Sequence, residues 1–418
     1  MLCSRSEGSC FFANAGTVIG CYDEELKFTK LKVEFFDDLK SNANGPQGIL
    51  CSCLSSSGKY FAFCDTNKSL YIFKFDGNTW NLSAKQSLAK KAGCIAFSPN
   101  EQSILLGEKS GYVFCIPISG SSSNKVNVED QDEVLGHLSL LTSVVASSDG
   151  RYIGTCDRDE KIRISRFSQP FVLESFCLGH TKPISDIAFL TNTHLVSTAT
   201  DGYIRLWNGL NGLELDALNL FAHLKKTEVE DFLASRLVVV GSNILLGIRS
   251  HDCILSINLS PDFTKFGEVS GVDCPFDEKF VDCCVINHQA QEKSFKVVCM
   301  TESLSRLFFW MVSYDSDSPA KWIEVEDLVQ LPSELNEQIG NFPRLQMLLD
   351  MGKNAVDFNG VEMYEKNKEE NHKRIRERHQ RHQAKRKRKM LFKEAGDEVV
   401  GRDHANSEKE TSEASPVS

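Results

Sequence analysis

The sequence has 418 residues with a net charge of −10, and its 41% hydrophobic and 25% charged residues suit a packed core and not a wholly disordered chain. No run of about 18 apolar residues occurs, so we expect no membrane-spanning segment. The 15 cysteines form no CxxC pair and no secretory pattern starts the chain, which predicts free thiols in a reducing compartment and no metal centre.

Short segments recur along the first three quarters of the chain. CDTNKSLYIFKF begins at Cys64, CDRDEKIRISRF at Cys156 and TATDGYIRLWNG at Thr198. Their β-branched and aromatic runs, separated by Asp-Gly and similar turns, predict antiparallel strands joined by hairpins. Four such strands in a unit of roughly 40 to 45 residues are typical of a β-propeller blade.

The repeats predict an all-β fold, a seven-bladed β-propeller over residues 1–315. The blades would begin near the N-terminus, Gly48, Lys91, Leu135, Leu178, Glu228 and Gly267. We expect the N-terminal strand to complete the last blade, because an open sheet edge invites unwanted pairing. Beyond the propeller we predict an irregular linker over 316–360, a basic helix over 361–393 and a disordered tail over 394–418.

Blades four and five resemble the WD-repeat family, in which a Gly-His pair, an Asp and a strand Trp form a hydrogen-bonded chain within a blade. The resemblance implies these structural residues: His180, Asp201 and Trp207 in blade five, and His137 and Asp159 in blade four. Ser197 or Thr198 would supply the hydroxyl group in blade five. In blade four, Ser165 stands where the Trp would be.

A search for catalytic patterns finds no GxSxG, HExxH or GxxxxGKS motif. The glycine-containing segment 209–212 directly follows a strand, so we interpret it as a hairpin turn and not as a cofactor loop. His251-Asp252 lacks a third catalytic partner. His372, His379 and His382 fit a solvated helix face better than a metal site, because no carboxylate or thiol completes the set. We therefore expect a chain without catalytic residues, metal ligands or a cofactor of its own.

Charge is concentrated at one predicted turn, where residues 157–163 include six charged side chains. Lys161 and Arg163 alternate with isoleucines and so share one strand face. Two interpretations remain open, a solvated face and an electrostatic partner site. The candidate partner-binding residues are Asp157, Arg158, Glu160, Lys161 and Arg163.

A second concentration of charge lies in residues 365–393, which contain 13 Lys or Arg and four Glu. Its core is the run Lys385, Arg386, Lys387, Arg388 and Lys389. Such a run is typical of a nuclear-import signal, so we expect a nuclear protein, and RNA phosphate contact by the same run is compatible with that.

The stretch LGHLSLLTSVVASSDGRYIGTCDRDEKIRISRF from Leu135, followed by LESFCLGHTKPIS, closely resembles the non-catalytic subunit of the tRNA (guanine-N7-)-methyltransferase. The resemblance implies a heterodimer whose catalytic subunit carries S-adenosylmethionine and methylates N7 of a guanine in the tRNA variable loop. It places the interface at DRDEKIR, where Lys161 and Arg163 would pair with acidic groups on a helix of the catalytic subunit, and tRNA contact on the C-terminal helix. A WD-repeat adaptor, such as a ubiquitin-ligase substrate receptor or a chromatin scaffold, is the alternative with the same fold.

Overall fold

The computed structural model describes the residues of the repeat region, with gaps. The described ranges are 2–4, 11–15, 18–23, 26–31, 48–118, 133–224, 232–274, 279–289, 291, 293–301, 306–315 and 318–330. The predicted basic helix, the predicted tail and the Lys385 to Lys389 run therefore lie outside the described residues. Within the described residues, no helix is long and apolar enough to cross a membrane.

In these ranges 28 strands form seven antiparallel sheets of four, each sheet built from consecutive strands of the chain. This confirms the predicted seven-bladed β-propeller. The strands of blades 1 to 3 are β1 Leu2–Ser4, β2 Phe11–Ala15, β3 Val18–Tyr22, β4 Phe28–Lys30; β5 Ile49–Leu54, β6 Tyr60–Asp65, β7 Ser69–Phe75, β8 Trp80–Ser87; β9 Ala92–Phe97, β10 Ser103–Glu108, β11 Tyr112–Pro117 and β12 Glu133–Gly136.

The remaining four blades follow the same order. Their strands are β13 Leu141–Ala146, β14 Tyr152–Asp157, β15 Lys161–Arg166, β16 Leu173–Leu178; β17 Ile184–Phe189, β18 His194–Ala199, β19 Tyr203–Asn208, β20 Leu213–Asn219; β21 Ala234–Val240, β22 Asn243–Ile248, β23 Cys253–Leu259, β24 Phe266–Asp273; β25 Phe280–Gln289, β26 Ser294–Thr301, β27 Arg306–Asp315 and β28 Ser318–Gln330. A 3₁₀ turn at Leu220–His223 follows blade 5.

The core lies between neighbouring blades. In β15 the side chains alternate, so that Ile162 and Ile164 are buried while Lys161 is exposed. The two isoleucines pack with Ile184 and Ile187 of β17, the first strand of the next blade. Removing such apolar area from water, at about 25 cal/mol per Å², holds each blade against its neighbour.

The ring closes differently from the sequence-based expectation, which is wrong on this point. β1 pairs with β2 inside blade 1, and blade 7 supplies all four of its own strands. The N–H of Leu2 donates to Asp282 Oδ2 at 2.7 Å, and the Ser4 hydroxyl donates to the Val285 carbonyl at 2.6 Å. An Arg236 N–H donates to the Leu2 carbonyl at 3.0 Å. β28 already occupies the outermost position of blade 7. The N-terminal strand β1 is instead the innermost strand of blade 1, where it pairs with β2.

The predicted end of the propeller at residue 315 is also too early. β28, Ser318–Gln330, lies within the segment predicted as an irregular linker and pairs with β27 as the fourth strand of blade 7. Its register joins Met311 to Ile323 and Ser313 to Lys321. Outermost strands face solvent on much of their surface, so they lack the continuous apolar run that marks an inner strand.

The cysteines are structural in the described part of the chain. Eleven of the thirteen described free cysteines are buried, and Cys53 and Cys115 are partly buried. Burial raises the pKa of the Cys156 and Cys283 thiols well above the ordinary value, which keeps them protonated and unreactive. The prediction of free thiols is confirmed for these residues.

Candidate partner interface on blade 4

The predicted hydrogen-bonded chain of blade 5 is present. His180 Nδ1 lies 2.9 Å from Asp201 Oδ2, and His180 Nε2 lies 2.7 Å from Ser197 Oγ. The indole N–H of Trp207 donates to the same Ser197 oxygen at 2.8 Å. The hydroxyl member is therefore Ser197 and not Thr198. Burial alone would raise the pKa of Asp201, but the hydrogen bond and charge of His180 outweigh it and lower the pKa.

In blade 4 the histidine is confirmed but its predicted carboxylate partner is wrong. His137 Nδ1 lies 2.8 Å from Asp157 Oδ2, and His137 Nε2 lies 2.7 Å from Thr155 Oγ1. Asp157 is 2% exposed. Asp159, predicted for this role, instead accepts a hydrogen bond from the Ser139 hydroxyl at 2.8 Å. Asp157 is thus a structural residue and leaves the set of candidate partner-binding side chains.

The geometry of the β14–β15 turn explains why Asp157, and not Asp159, contacts His137. Asp157 ends β14, and its Oδ1 accepts the backbone N–H groups of Asp159 and Lys161 at 3.0 and 3.2 Å. Asp65 of blade 2 accepts Asn67 and Ser69 in the same way, at 2.9 and 2.8 Å. A carboxylate at the strand end satisfies the turn donors and still reaches the histidine. The shared CDxxx pattern at Cys64 and Cys156 carried this signal, whereas analogy with Asp201 pointed two residues further on.

The two basic residues of β15 differ in how far they are available to a partner. Lys161 is exposed. Arg163 is partly buried, and its guanidinium donates to Ser165 Oγ at 3.0 Å, to the Gly136 carbonyl at 3.2 Å and to the Pro170 carbonyl at 3.4 Å. Burial lowers the pKa of Arg163. Arg163 therefore helps to hold blade 4 together, and it bonds Ser165, which occupies the strand position that Trp207 has in blade 5.

The other charged candidates lie on the turn itself. The Arg158 side chain is 38% exposed, with its Nε 4.0 Å from Asp159 Oδ1. Glu160 is partly buried in the left-handed backbone region, with φ of 68°. Burial and the nearby Asp159 raise the pKa of Glu160. Arg158 and Glu160 are accessible enough to contact a partner at the end of the blade.

Sequence reasoning missed an apolar feature beside the basic pair. On β16, Leu173, Phe176 and Leu178 are 41%, 43% and 62% exposed. The register places Phe176 opposite Arg163 and Leu178 opposite Lys161. We call Lys161, Arg163, Phe176 and Leu178 the blade-4 strip. The signal was present in LESFCL, but a sequence does not tell which face of an outermost strand meets water.

This exposure sets β16 apart from the other described outer strands. Large exposed apolar side chains number one on β8 (Leu82), one on β20 (Leu213) and one on β28 (Ile323), against three on β16. Apolar groups next to a cation, on a surface that is otherwise polar, are typical of protein interfaces. The strip therefore has the mixture of apolar and basic groups that is typical of a protein-docking surface.

The described residues offer little for catalysis. No group of three or more His, Cys, Asp or Glu among them could hold a metal ion. The described lining of the central channel includes Ser52, Ser143, Asp186 and Arg236 but no histidine to act as a base. Residues 209–212 form the hairpin turn between β19 and β20, as predicted. His251 packs against aromatic rings, and Asp252 Oδ1 accepts the N–H of Phe280 at 2.9 Å.

Solved structures support the architecture alone. A chain of a mitotic checkpoint complex matches with a TM-score of 0.57 at 12% identity, covering 75% of this chain and 89% of that one. The Cps50 (Swd1) β-propeller domain of Myceliophteria thermophila matches with a TM-score of 0.55 at 10% identity, covering 73% and 93%. At such identities the likeness establishes a propeller and nothing about partners.

Relatives found by sequence indicate a narrower class of protein than the solved structures do. A Xenopus laevis protein named as the tRNA (guanine-N(7)-)-methyltransferase non-catalytic subunit wdr4 is 36% identical over 250 residues, 57% of this chain and 61% of the relative. The Homo sapiens protein of the same name is 36% identical over 179 residues, 42% and 41% of the two chains. The chain thus spans between two fifths and about three fifths of these relatives. Residues 122–327 match the family model described as the tRNA methyltransferase TRM82 WD40 domain. Residues 122–327 are therefore a WD40 domain of the TRM82 type.

Proposed function

We propose that this chain is the non-catalytic subunit of a tRNA (guanine-N7-)-methyltransferase and that it binds and stabilises the catalytic subunit through the blade-4 strip. One observation carries the proposal: the strip lies within residues 122–327, the range that matches the family. The matching relatives bear the name of that subunit. In this proposal S-adenosylmethionine is bound by the catalytic subunit, and tRNA is bound by the heterodimer.

The strip has the chemistry that such docking needs. Phe176 and Leu178 offer apolar area that is exposed in the isolated chain, and burying it against a partner helix favours association. Lys161 stands beside Leu178 and would orient an acidic group of the partner, which sets specificity and the association rate. Arg163, which is hydrogen-bonded within its own blade, would stand as a fixed cation on the strand opposite Phe176.

The Lys385 to Lys389 run completes the proposal. It would direct the complex to the nucleus and add phosphate contacts to bound tRNA. Both roles need only exposed positive charge, and neither needs a folded site.

Leu178 is the most informative position for a test, because Arg163 also stabilises the blade. Leu178→Glu places a like-charged group against an acidic partner surface and removes an apolar contact, so we expect association with the catalytic subunit to weaken by about 10-fold or more. The matched control is Ile323→Glu on β28, since Ile323 is 60% exposed against 62% for Leu178. Co-purification of the two subunits and the unfolding midpoint of each variant are the measurements.

We expect both variants to unfold at the wild-type midpoint and only Leu178→Glu to lose the catalytic subunit. Equal co-purification of both variants would remove the strip from the interface. Wild-type chain that recovers ubiquitin-ligase or chromatin components, and never the methyltransferase subunit, would favour the adaptor alternative.

A further inference from the structure

We propose that the rim of blades 2 to 4 on one face of the propeller is a contact surface for the phosphate backbone of an RNA. This inference rests on the proposed function, because it names the part of this chain that meets the RNA substrate of the heterodimer. The rim is defined by the exposed side chains of Lys68, Lys90, Lys91 and Lys161, together with the partly exposed Arg158.

The topology brings these residues to one end of the propeller. In a four-stranded antiparallel blade, the turn between the second and third strands and the link to the next blade lie on the same face. Lys68 and Arg158 lie in the turns after β6 and β14, and Lys161 begins β15. Lys90 and Lys91 lie in the link between β8 and β9. All five therefore share a face, although they are spread over more than 90 residues of sequence.

Backbone hydrogen bonds link the turns and connections along this rim. The N–H of Leu88 donates to the Lys68 carbonyl at 2.6 Å, and the N–H of Lys109 donates to the Lys91 carbonyl at 2.9 Å. Further along, the N–H of Arg158 donates to the Leu140 carbonyl at 3.0 Å. The basic positions thus sit on a connected and ordered backbone.

Three acidic residues of the same turns are turned inward, whereas Asp159 and Glu160 of the β14–β15 turn are partly exposed. Asp65, Glu108 and Asp157 are 1%, 1% and 2% exposed. Each accepts backbone N–H groups of its own turn or link, Glu108 from Lys90 at 3.2 Å. These three carboxylates are therefore used inside the fold, while the four lysines of the rim face water. The five basic side chains of the rim thus outnumber its two partly exposed carboxylates, Asp159 and Glu160, although the protein has a net charge of −10.

The side-chain types favour RNA over an acidic protein. Protein interfaces rely on buried aromatic and Arg anchors. Among the described residues from Lys68 to Arg158 on this rim, Leu138 is the one large apolar side chain that is exposed. Lysines without aromatic neighbours suit phosphate contacts, which position a nucleic acid without reading its bases.

The rim also meets the blade-4 strip, since Lys161 belongs to both. A catalytic subunit bound at the strip would stand beside the rim. An RNA held in that subunit's active site is longer than the site itself, so its backbone can continue over Arg158 and towards Lys91. The geometry thus makes the rim an extension of the proposed heterodimer's RNA-binding surface.

The test neutralises three rim lysines that lie outside the strip. The variant is Lys68→Gln, Lys90→Gln, Lys91→Gln in the full chain, purified alone and with the catalytic subunit. The matched control is Lys59→Gln, Lys265→Gln, Lys321→Gln, which removes the same charge from exposed positions in or near the turns of the opposite face. The probe is a labelled, unmodified tRNA transcript titrated by fluorescence anisotropy at several salt concentrations, with co-elution of the two subunits measured in parallel.

For the rim variant we expect normal co-elution, tRNA binding weakened about 10-fold or more near 0.1 M salt, and a salt slope reduced by about 2 to 3 relative to the control. Equal affinity and slope in the two variants would overturn the proposal. Loss of the catalytic subunit with unchanged tRNA binding by the chain alone would also overturn it and make the rim a protein interface. If wild-type chain fails to co-elute, the proposed function fails, and the titration of the chain alone still decides the rim.

Discussion

At the scale of single residues, blade 4 depends on which of two neighbouring aspartates closes its hydrogen-bonded chain. Asp157 is buried, contacts His137 and accepts two backbone N–H groups, whereas Asp159 accepts a hydroxyl near the surface. Removing a buried acceptor leaves its donors without partners, which costs more than the net value of the bonds themselves.

We therefore expect Asp157→Ala to lower the free energy of unfolding by about 2 to 3 kcal/mol and Asp159→Ala by less than about 1 kcal/mol. Urea unfolding followed by tryptophan fluorescence measures both, and Asp159→Ala serves as the matched control. A larger loss for Asp159→Ala than for Asp157→Ala would contradict the assignment.

The His, Asp and Trp of blade 5 could be predicted because their motif is local. His180, Asp201 and Trp207 lie within one blade, so spacing alone brings them together. The choice between Asp157 and Asp159 needed the turn geometry, and the exposed face of Phe176 and Leu178 needed the position of β16 at the outer edge. Burial that depends on neighbouring blades is not encoded in a strand's own pattern.

At the scale of elements, closure of the ring rests on contacts between β1, β21 and β25. Asp282 accepts the N–H of Leu2 at 2.7 Å, and its other oxygen lies 3.7 Å from Arg236 Nε. Asp282 is 4% exposed. The bond between Leu2 and Asp282 joins residues 280 positions apart, so no local pattern could reveal it. The sequence predicted that the first strand closes the ring but placed it in the wrong blade.

Asp282→Ala should therefore weaken the ring where blade 1 meets blade 7. The substitution removes the carboxylate that the Leu2 N–H and the Arg236 guanidinium face. We therefore expect the free energy of unfolding to fall by about 2 to 4 kcal/mol. The control is Glu268→Ala on the exposed outer strand β24, which should change little. Hydrogen exchange should report faster opening of β1 and β25 in Asp282→Ala, and unchanged protection there would contradict this closure.

At the scale of the whole molecule, the blade-4 strip and the basic rim lie next to each other around Lys161. One is apolar and basic, suited to a protein helix, and the other is basic without aromatic residues, suited to phosphate. The described channel lining holds no histidine, and the glycine-containing loop of blade 5 is a hairpin turn. We place its function on the surface of the propeller, at the strip and the rim.

Formation of N7-methylguanosine on a tRNA transcript tests whether this chain is the non-catalytic subunit. It is measured with purified catalytic subunit and S-adenosylmethionine, in the absence and in the presence of this chain. We expect strong methylation only when the wild-type chain or Ile323→Glu is added, and a loss of methylation with Leu178→Glu that follows its loss of binding. Equal methylation with and without this chain, or methylation by this chain alone, would contradict the account.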